Sequence, residues 1–136
     1  MIYAVIDTNV LVAALLSKHA DSSTVVIRKY ILDGIVTPLY NAEIINEYRE
    51  VLNRPKFHLP EGLTKAIIDA IAEKGIPLER TKSDVLFTDP KDVVFYEVAL
   101  SKEGSYLVTG NTRHFPKEPI VVTPAELLVI IQQLDQ

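Results

Sequence analysis

The chain opens on a short apolar run, Ile2 to Ile6, that is nearly continuous rather than alternating, as in a strand covered on both faces. Asp7 ends the run abruptly. Val10, Leu11, Ala13, Ala14 and Leu15 then continue at helical spacing, which predicts that the strand turns directly into a helix at Thr8 and Asn9. Asp7 would sit at the carboxyl end of strand one. Ser22 and Ser23 can cap a second helix carrying Val25, Val26, Ile27, Tyr30 and Ile31, and Gly34 is placed to end it. Ile35 to Leu39 predicts strand two. Asn41 is the expected N-cap of a third helix, whose apolar residues Ile44, Ile45, Tyr48, Val51 and Leu52 follow the helical period until Arg54-Pro55 stops it. That helix carries Glu43, Glu47 and Glu50.

Leu63 to Ala72 predicts a fourth amphipathic helix, broken by Gly75-Ile76-Pro77, after which a third strand is expected toward Val85, Leu86 and Phe87. Pro90 fits the first turn of the next helix, where its missing N–H costs nothing, and Asp92 falls in that turn before Phe95, Val98, Ala99 and Leu100. Ser105 to Thr109 predicts strand four, ending in Gly110-Asn111. Ile120 to Val122 predicts a fifth, and Thr123-Pro124-Ala125-Glu126 is a capping box with Pro at the first helical position of a last helix, Leu127 to Leu134. Strands alternating with helices favour a parallel sheet covered on both faces. The expected architecture is α/β: a three-layer α/β/α sandwich around a central, mainly parallel sheet of four to five strands.

With 136 residues, scattered Gly and Pro, and no repeat or low-complexity run, residues 1–136 are expected to form one domain. Asp7 and Asn9 interrupt the apolar start and no basic segment precedes it, so it reads as structure rather than a signal peptide. No stretch has the roughly 18 uninterrupted apolar residues of a membrane span, so no membrane partner is expected. The absence of cysteine excludes a disulfide framework and a thiolate metal site and fits a cytoplasmic protein. A net charge of −4 argues against a nonspecific nucleic-acid coat, which usually carries a basic stripe. It leaves a nuclease open, because a site for Mg²⁺ is itself acidic.

In open α/β sheets functional groups gather beyond the carboxyl ends of the strands, and Asp7, Asp92 and Asn111 all interrupt the pattern there. On the wheel of the third helix Glu47 borders the apolar stripe, whereas Glu43 and Glu50 point to solvent. Singly, each residue has an ordinary explanation: Asp7 as a helix cap, Glu47 as a solvated charge, Asp92 as a partner of the helix dipole, Asn111 as a turn residue. Together they converge on one edge. Carboxylates at close range repel and raise each other's pKa unless a cation lies between them. Mg²⁺ prefers oxygen ligands, keeps several waters and can activate one of them against a phosphodiester.

The ordered motifs Asp7-Thr8-Asn9-Val10, Glu43-Ile44-Ile45-Asn46-Glu47, Asp89-Pro90-Lys91-Asp92 and Leu107-Val108-Thr109-Gly110-Asn111 resemble those of PIN-domain proteins over nearly the whole chain. The likeness is closest to small prokaryotic PIN proteins similar to VapC-like toxins, and includes Asn53-Arg54-Pro55-Lys56-Phe57 and Thr112-Arg113-His114-Phe115-Pro116. The resemblance implies a Mg²⁺- or Mn²⁺-dependent ribonuclease with Asp7, Glu47 and Asp92 as metal-site acids. Thr8 and Asn9 would support the site. The family often has a fourth acid where Asn111 stands, which makes one metal the safer expectation than two, with Asp89 as a nearby acid that could compensate. A binding or scaffold module that kept the fold and lost catalysis is the alternative that Asn111 keeps open.

The implied partners are an RNA substrate, an antitoxin protein and a second copy of the chain in a homodimer. Positive groups must guide phosphates to an acidic edge, and Arg49, Arg54, Lys56, Arg113 and His114 are the candidates. Phe115 reads as core rather than as a base-stacking platform. A phosphatase of the haloacid dehalogenase type resembles the chain at Asp7 only, since its second acid would fall on Asn9.

Overall fold

In the computed structural model, which describes residues 1–134, the apolar run at the start is β1 (Ile2–Ile6), and Ala4, Val5 and Ile6 have no exposed surface. Burial on both faces follows from its place in the sheet. β1 pairs in parallel with β2 (Val36–Tyr40) on one side and with β4 (Tyr106–Val108) on the other. β3 (Ile76–Pro77) and β5 (Val121–Val122) complete an all-parallel, five-stranded sheet of order β3-β2-β1-β4-β5. Six helices flank it: α1 (Thr8–Leu16), α2 (Ser23–Leu32), α3 (Ala42–Leu52), α4 (Glu61–Lys74), α5 (Pro90–Leu100) and α6 (Pro124–Leu134). The sandwich expected from the alternating pattern is the fold of the chain. Among the described residues no helix is long and apolar enough to cross a membrane.

The helix ends follow local chemistry. The Asn41 side chain accepts from the Ile44 amide at 2.9 Å, and Thr123 and Glu126 cap α6 reciprocally at 3.1 and 2.8 Å. Gly34, at φ +80°, turns the chain out of α2 in the left-handed conformation that glycine adopts without strain. Ser22 stands at the N-cap of α2 without a capping hydrogen bond from its side chain.

The third strand is not where the pattern predicts it. Val85, Leu86 and Phe87 lie outside any strand, with Leu86 96% exposed, and the strand is Ile76–Pro77. Gly75 explains the shift: α4 ends so close to β2 that a Cβ on residue 75 would lie 2.3 Å from the carbonyl oxygen of Pro38. The chain therefore joins the sheet immediately after the helix. Pro77, with no N–H to donate, fits only because β3 is an edge strand. Phe87 packs instead against the rings of Tyr96 and Phe115.

Strand order also locates a place for chemistry, because the chain builds outward from β1 through β2 to β3 and then crosses back to start β4 on the other flank of β1. A crevice opens at such a reversal, beyond the carboxyl ends of the two strands that flank it. Here those strands are β1 and β4.

Candidate metal centre

Asp7 follows β1 directly, and its amide donates to the carbonyl of Val108 at the end of β4, 2.9 Å away. It occupies the N-cap position of α1, yet its side chain makes no capping hydrogen bond. Oδ2 instead accepts from the hydroxyl of Thr109 at 2.7 Å, and the residue is only 7% exposed. Helix capping therefore does not account for a carboxylate at this position.

Glu47 leans over the same edge from α3. It is half-buried, and its Oε2 accepts a 2.5 Å hydrogen bond from the Thr8 hydroxyl in the first turn of α1. The next residue fixes that helix: Tyr48, fully buried, donates its hydroxyl to the carbonyl of Ile6, the last residue of β1. Glu43 and Glu50 are exposed and pair with Arg80 and Arg54 at 2.9 and 3.2 Å, as the helical wheel predicts for solvent-facing positions.

Asp92 enters from the first turn of α5, with its side chain 15% exposed and Oδ2 3.4 Å from Nδ1 of His114. Asp89 is occupied otherwise, since Oδ1 accepts from the Lys91 amide at 2.9 Å and caps α5. Asn9 ties α1 to the loop after β4 by accepting from the Gly110 amide at 3.1 Å. The Asn111 amide donates to Thr109 Oγ1 at 3.0 Å, and the Asn111 side chain meets Nε2 of His114 at 3.0 Å.

Burial pushes the Asp7 carboxyl up to about 6; the Thr109 hydroxyl opposes the shift, and the charges of Asp92 and Glu47 add to it. Asp92 is raised as well, first by burial and then by the charge of Asp89, with His114 opposing and Glu47 adding. Acids from three separate elements thus meet at one crevice, where the ionised forms of Asp7 and Asp92 are disfavoured.

A cation would relieve that conflict. Among the described residues, however, no group of three or more histidine or acidic side chains is disposed to hold a metal ion directly. Each of the outer acids has one partner within the protein, Thr8 for Glu47 and His114 for Asp92. Mg²⁺ usually takes only one or two carboxylates and keeps its remaining waters, so this all-oxygen set fits a largely hydrated ion better than a closed protein cage.

The basic residues singled out from the sequence are dispersed. Arg49 is exposed and donates to Asn46 at 3.3 Å, Arg54 is held by Glu50, and Lys56 lies over the Phe57 ring, 5.1 Å from its centroid. Arg113 and His114 occupy the single turn Thr112–His114 beside Asn111. Two cations without a sequence signal share a groove with Glu47: Arg80 and Lys91 line, with Asn46, a groove of about 530 Å³ that also takes in Glu43, Glu47 and Glu50. Arg80 arrives on the unpatterned segment after β3 and bridges Glu43 to the buried Glu97 of α5, which it contacts at 2.7 Å. Although burial opposes its ionisation, the Ser83 amide and Arg80 hold the Glu97 carboxyl below its ordinary range.

The sequence pattern of the PIN domain matches residues 3–113, most of the chain. The chain belongs to the PIN-domain family. PIN domains are typically nucleases and generally bind divalent metals. No curated protein and no solved structure matches the chain. The matched PIN segment runs from β1 past β4, so it contains Asp7, Glu47, Asp92 and Asn111 and stops one residue short of His114.

Proposed function

We propose that this PIN domain is a Mg²⁺- or Mn²⁺-dependent ribonuclease that hydrolyses RNA phosphodiesters, and that it acts as the toxin of a toxin–antitoxin pair. One observation carries the reading: at the crevice between β1 and β4, the buried Asp7 carboxylate is turned to Thr109 rather than used as a side-chain cap, and its pKa is raised first by burial and then by the charges of Asp92 and Glu47. Such a cluster is costly for the fold and useful to a cation.

Asp7 and Asp92 are the residues that would hold the ion, Asp7 fixed by Thr109 and Asp92 by the first turn of α5. A bound divalent cation supplies neutralising charge for the scissile phosphate and acidifies water at neutral pH. Glu47, oriented by Thr8, faces the same space and can accept the proton that the attacking water loses. The reaction needs no covalent nucleophile. Lys91 in the groove that Glu47 lines, and Arg113 beside Asn111, are the cations this reading assigns to the RNA backbone, while Arg80 is held by Glu43 and Glu97.

The toxin assignment, with an antitoxin and a homodimer as partners, is supported by the likeness of Asn53 to Phe57 and Thr112 to Pro116 to VapC-like proteins. Mn²⁺-dependent cleavage of structured and single-stranded RNA by wild type and Asp7→Asn tests the chemistry. Cleavage by wild type alone is expected; equal cleavage by both sinks the assignment. Growth arrest on expressing the chain alone, relieved by coexpressing the neighbouring reading frame, tests the toxin role, and unchanged growth counts against it.

A further inference from the structure

His114 was a candidate RNA contact on the strength of its charge and position, but both of its ring nitrogens are already engaged. Nε2 lies 3.0 Å from the side-chain nitrogen of Asn111, and Nδ1 lies 3.4 Å from Oδ2 of Asp92. With Nε2 accepting from the Asn111 amide group, the ring carries a proton on Nδ1, facing the Asp92 carboxylate.

The chain of contacts continues past Asn111. Its backbone amide donates to Thr109 Oγ1 at 3.0 Å, and Thr109 donates to Asp7 Oδ2 at 2.7 Å. Asp92 on α5 and Asp7 on β1 are thus joined through the loop after β4, in the order Asp92, His114, Asn111, Thr109, Asp7. A phosphate could reach a nitrogen of His114 only by breaking this frame, even though the ring is 53% exposed.

We propose that His114 is a positioning residue that sets the Asp92 carboxylate for the cation, and that Asn111 serves as its anchor instead of offering an oxygen to the metal. The proposal rests on the metal-site reading above. It gives the neutral residue at 111 a definite use, because an aspartate there could not donate a side-chain proton to Nε2 while ionised. Outer partners that orient a liganding group typically matter by about 10–100-fold in metal affinity.

The test is Mn²⁺ binding to the full chain, measured by calorimetry and by the paramagnetic resonance signal of free Mn²⁺. Wild type is compared with His114→Ala, His114→Asn and His114→Gln. Asparagine places an amide N–H near the position of Nδ1, whereas glutamine reaches toward the position of Nε2. The expected result is a loss of about 10–100-fold for His114→Ala, substantial recovery in His114→Asn and none in His114→Gln, with thermal midpoints close to wild type because the side chain is exposed.

Equal Mn²⁺ affinity in wild type and His114→Ala overturns the proposal and leaves the metal site standing. So does a His114→Ala variant that keeps Mn²⁺ and loses only RNA, which would return His114 to the role of substrate contact. Failure of wild type to bind Mn²⁺ overturns the underlying metal-site reading and this proposal with it.

Discussion

The hydroxyl of Thr109 donates to Oδ2 of Asp7 across 2.7 Å, joining residues 102 positions apart in the chain. Thr109 has no exposed surface, and the bond crosses between the carboxyl ends of β1 and β4, where the strand order reverses. It is the main stabilising contact of a carboxylate that burial and two neighbouring acids otherwise push toward its neutral form.

Stability should therefore depend on Asp7 in a definite direction. Its pKa is 3.8 in its ordinary state and about 6 when folded, so the native state binds the proton more tightly. Stability attributable to this group is highest below pH 3.8, falls as pH rises through the window to about 6, and stays lowered above it. The size is about 3 kcal/mol. Asp7→Asn keeps an oxygen for Thr109 and cannot ionise. Urea unfolding without metal is expected to find it more stable than wild type at pH 8 and nearly equal to it at pH 4. A variant that is less stable at pH 8 contradicts the account.

Thr109→Val removes the hydroxyl at nearly constant shape. Because that hydroxyl lowers the Asp7 pKa, its loss should drive the value above about 6, read from a carboxyl-carbon NMR titration of Asp7. An unchanged or lower value would show that the contact does not hold the charge.

Tyr48→Phe tests the placement of Glu47. The substitution removes the buried hydroxyl that reaches the Ile6 carbonyl and leaves that carbonyl without this partner. A stability loss of about 1–3 kcal/mol is expected in urea unfolding. It should be accompanied by weaker Mn²⁺ binding, since α3 carries Glu47 next to the lost anchor. Unchanged stability would mean that packing alone seats the helix.

Much of this was legible in the sequence where one local signal decided the outcome. The unbroken apolar run of β1 announced a strand buried on both faces, and Asn41, Pro90 and the Thr123–Glu126 box marked helix starts that formed as expected. The third strand was misplaced because its position is set by the close approach of Gly75 to Pro38, a tertiary contact with no local pattern. The positions of Asp7 and Asp92 in the fold were readable because strand ends and helix starts set them. The hydroxyls that orient the acids were harder to see: Thr109 and Tyr48 look like ordinary strand and core residues until β1, β4 and α3 are assembled. Arg80 was hidden for the same reason, in a segment whose course is fixed by Glu43 and Glu97 on two other elements.

The central claim is that Asp7, Glu47 and Asp92 gather at this crevice to hold a divalent cation. Crystals soaked in Mn²⁺ and measured for anomalous scattering test it most directly. The account predicts one peak between Asp7 and Asp92, with Glu47 reaching it directly or through water and Asn111 turned away toward His114. No peak at that edge, or a peak held by other residues, would contradict it.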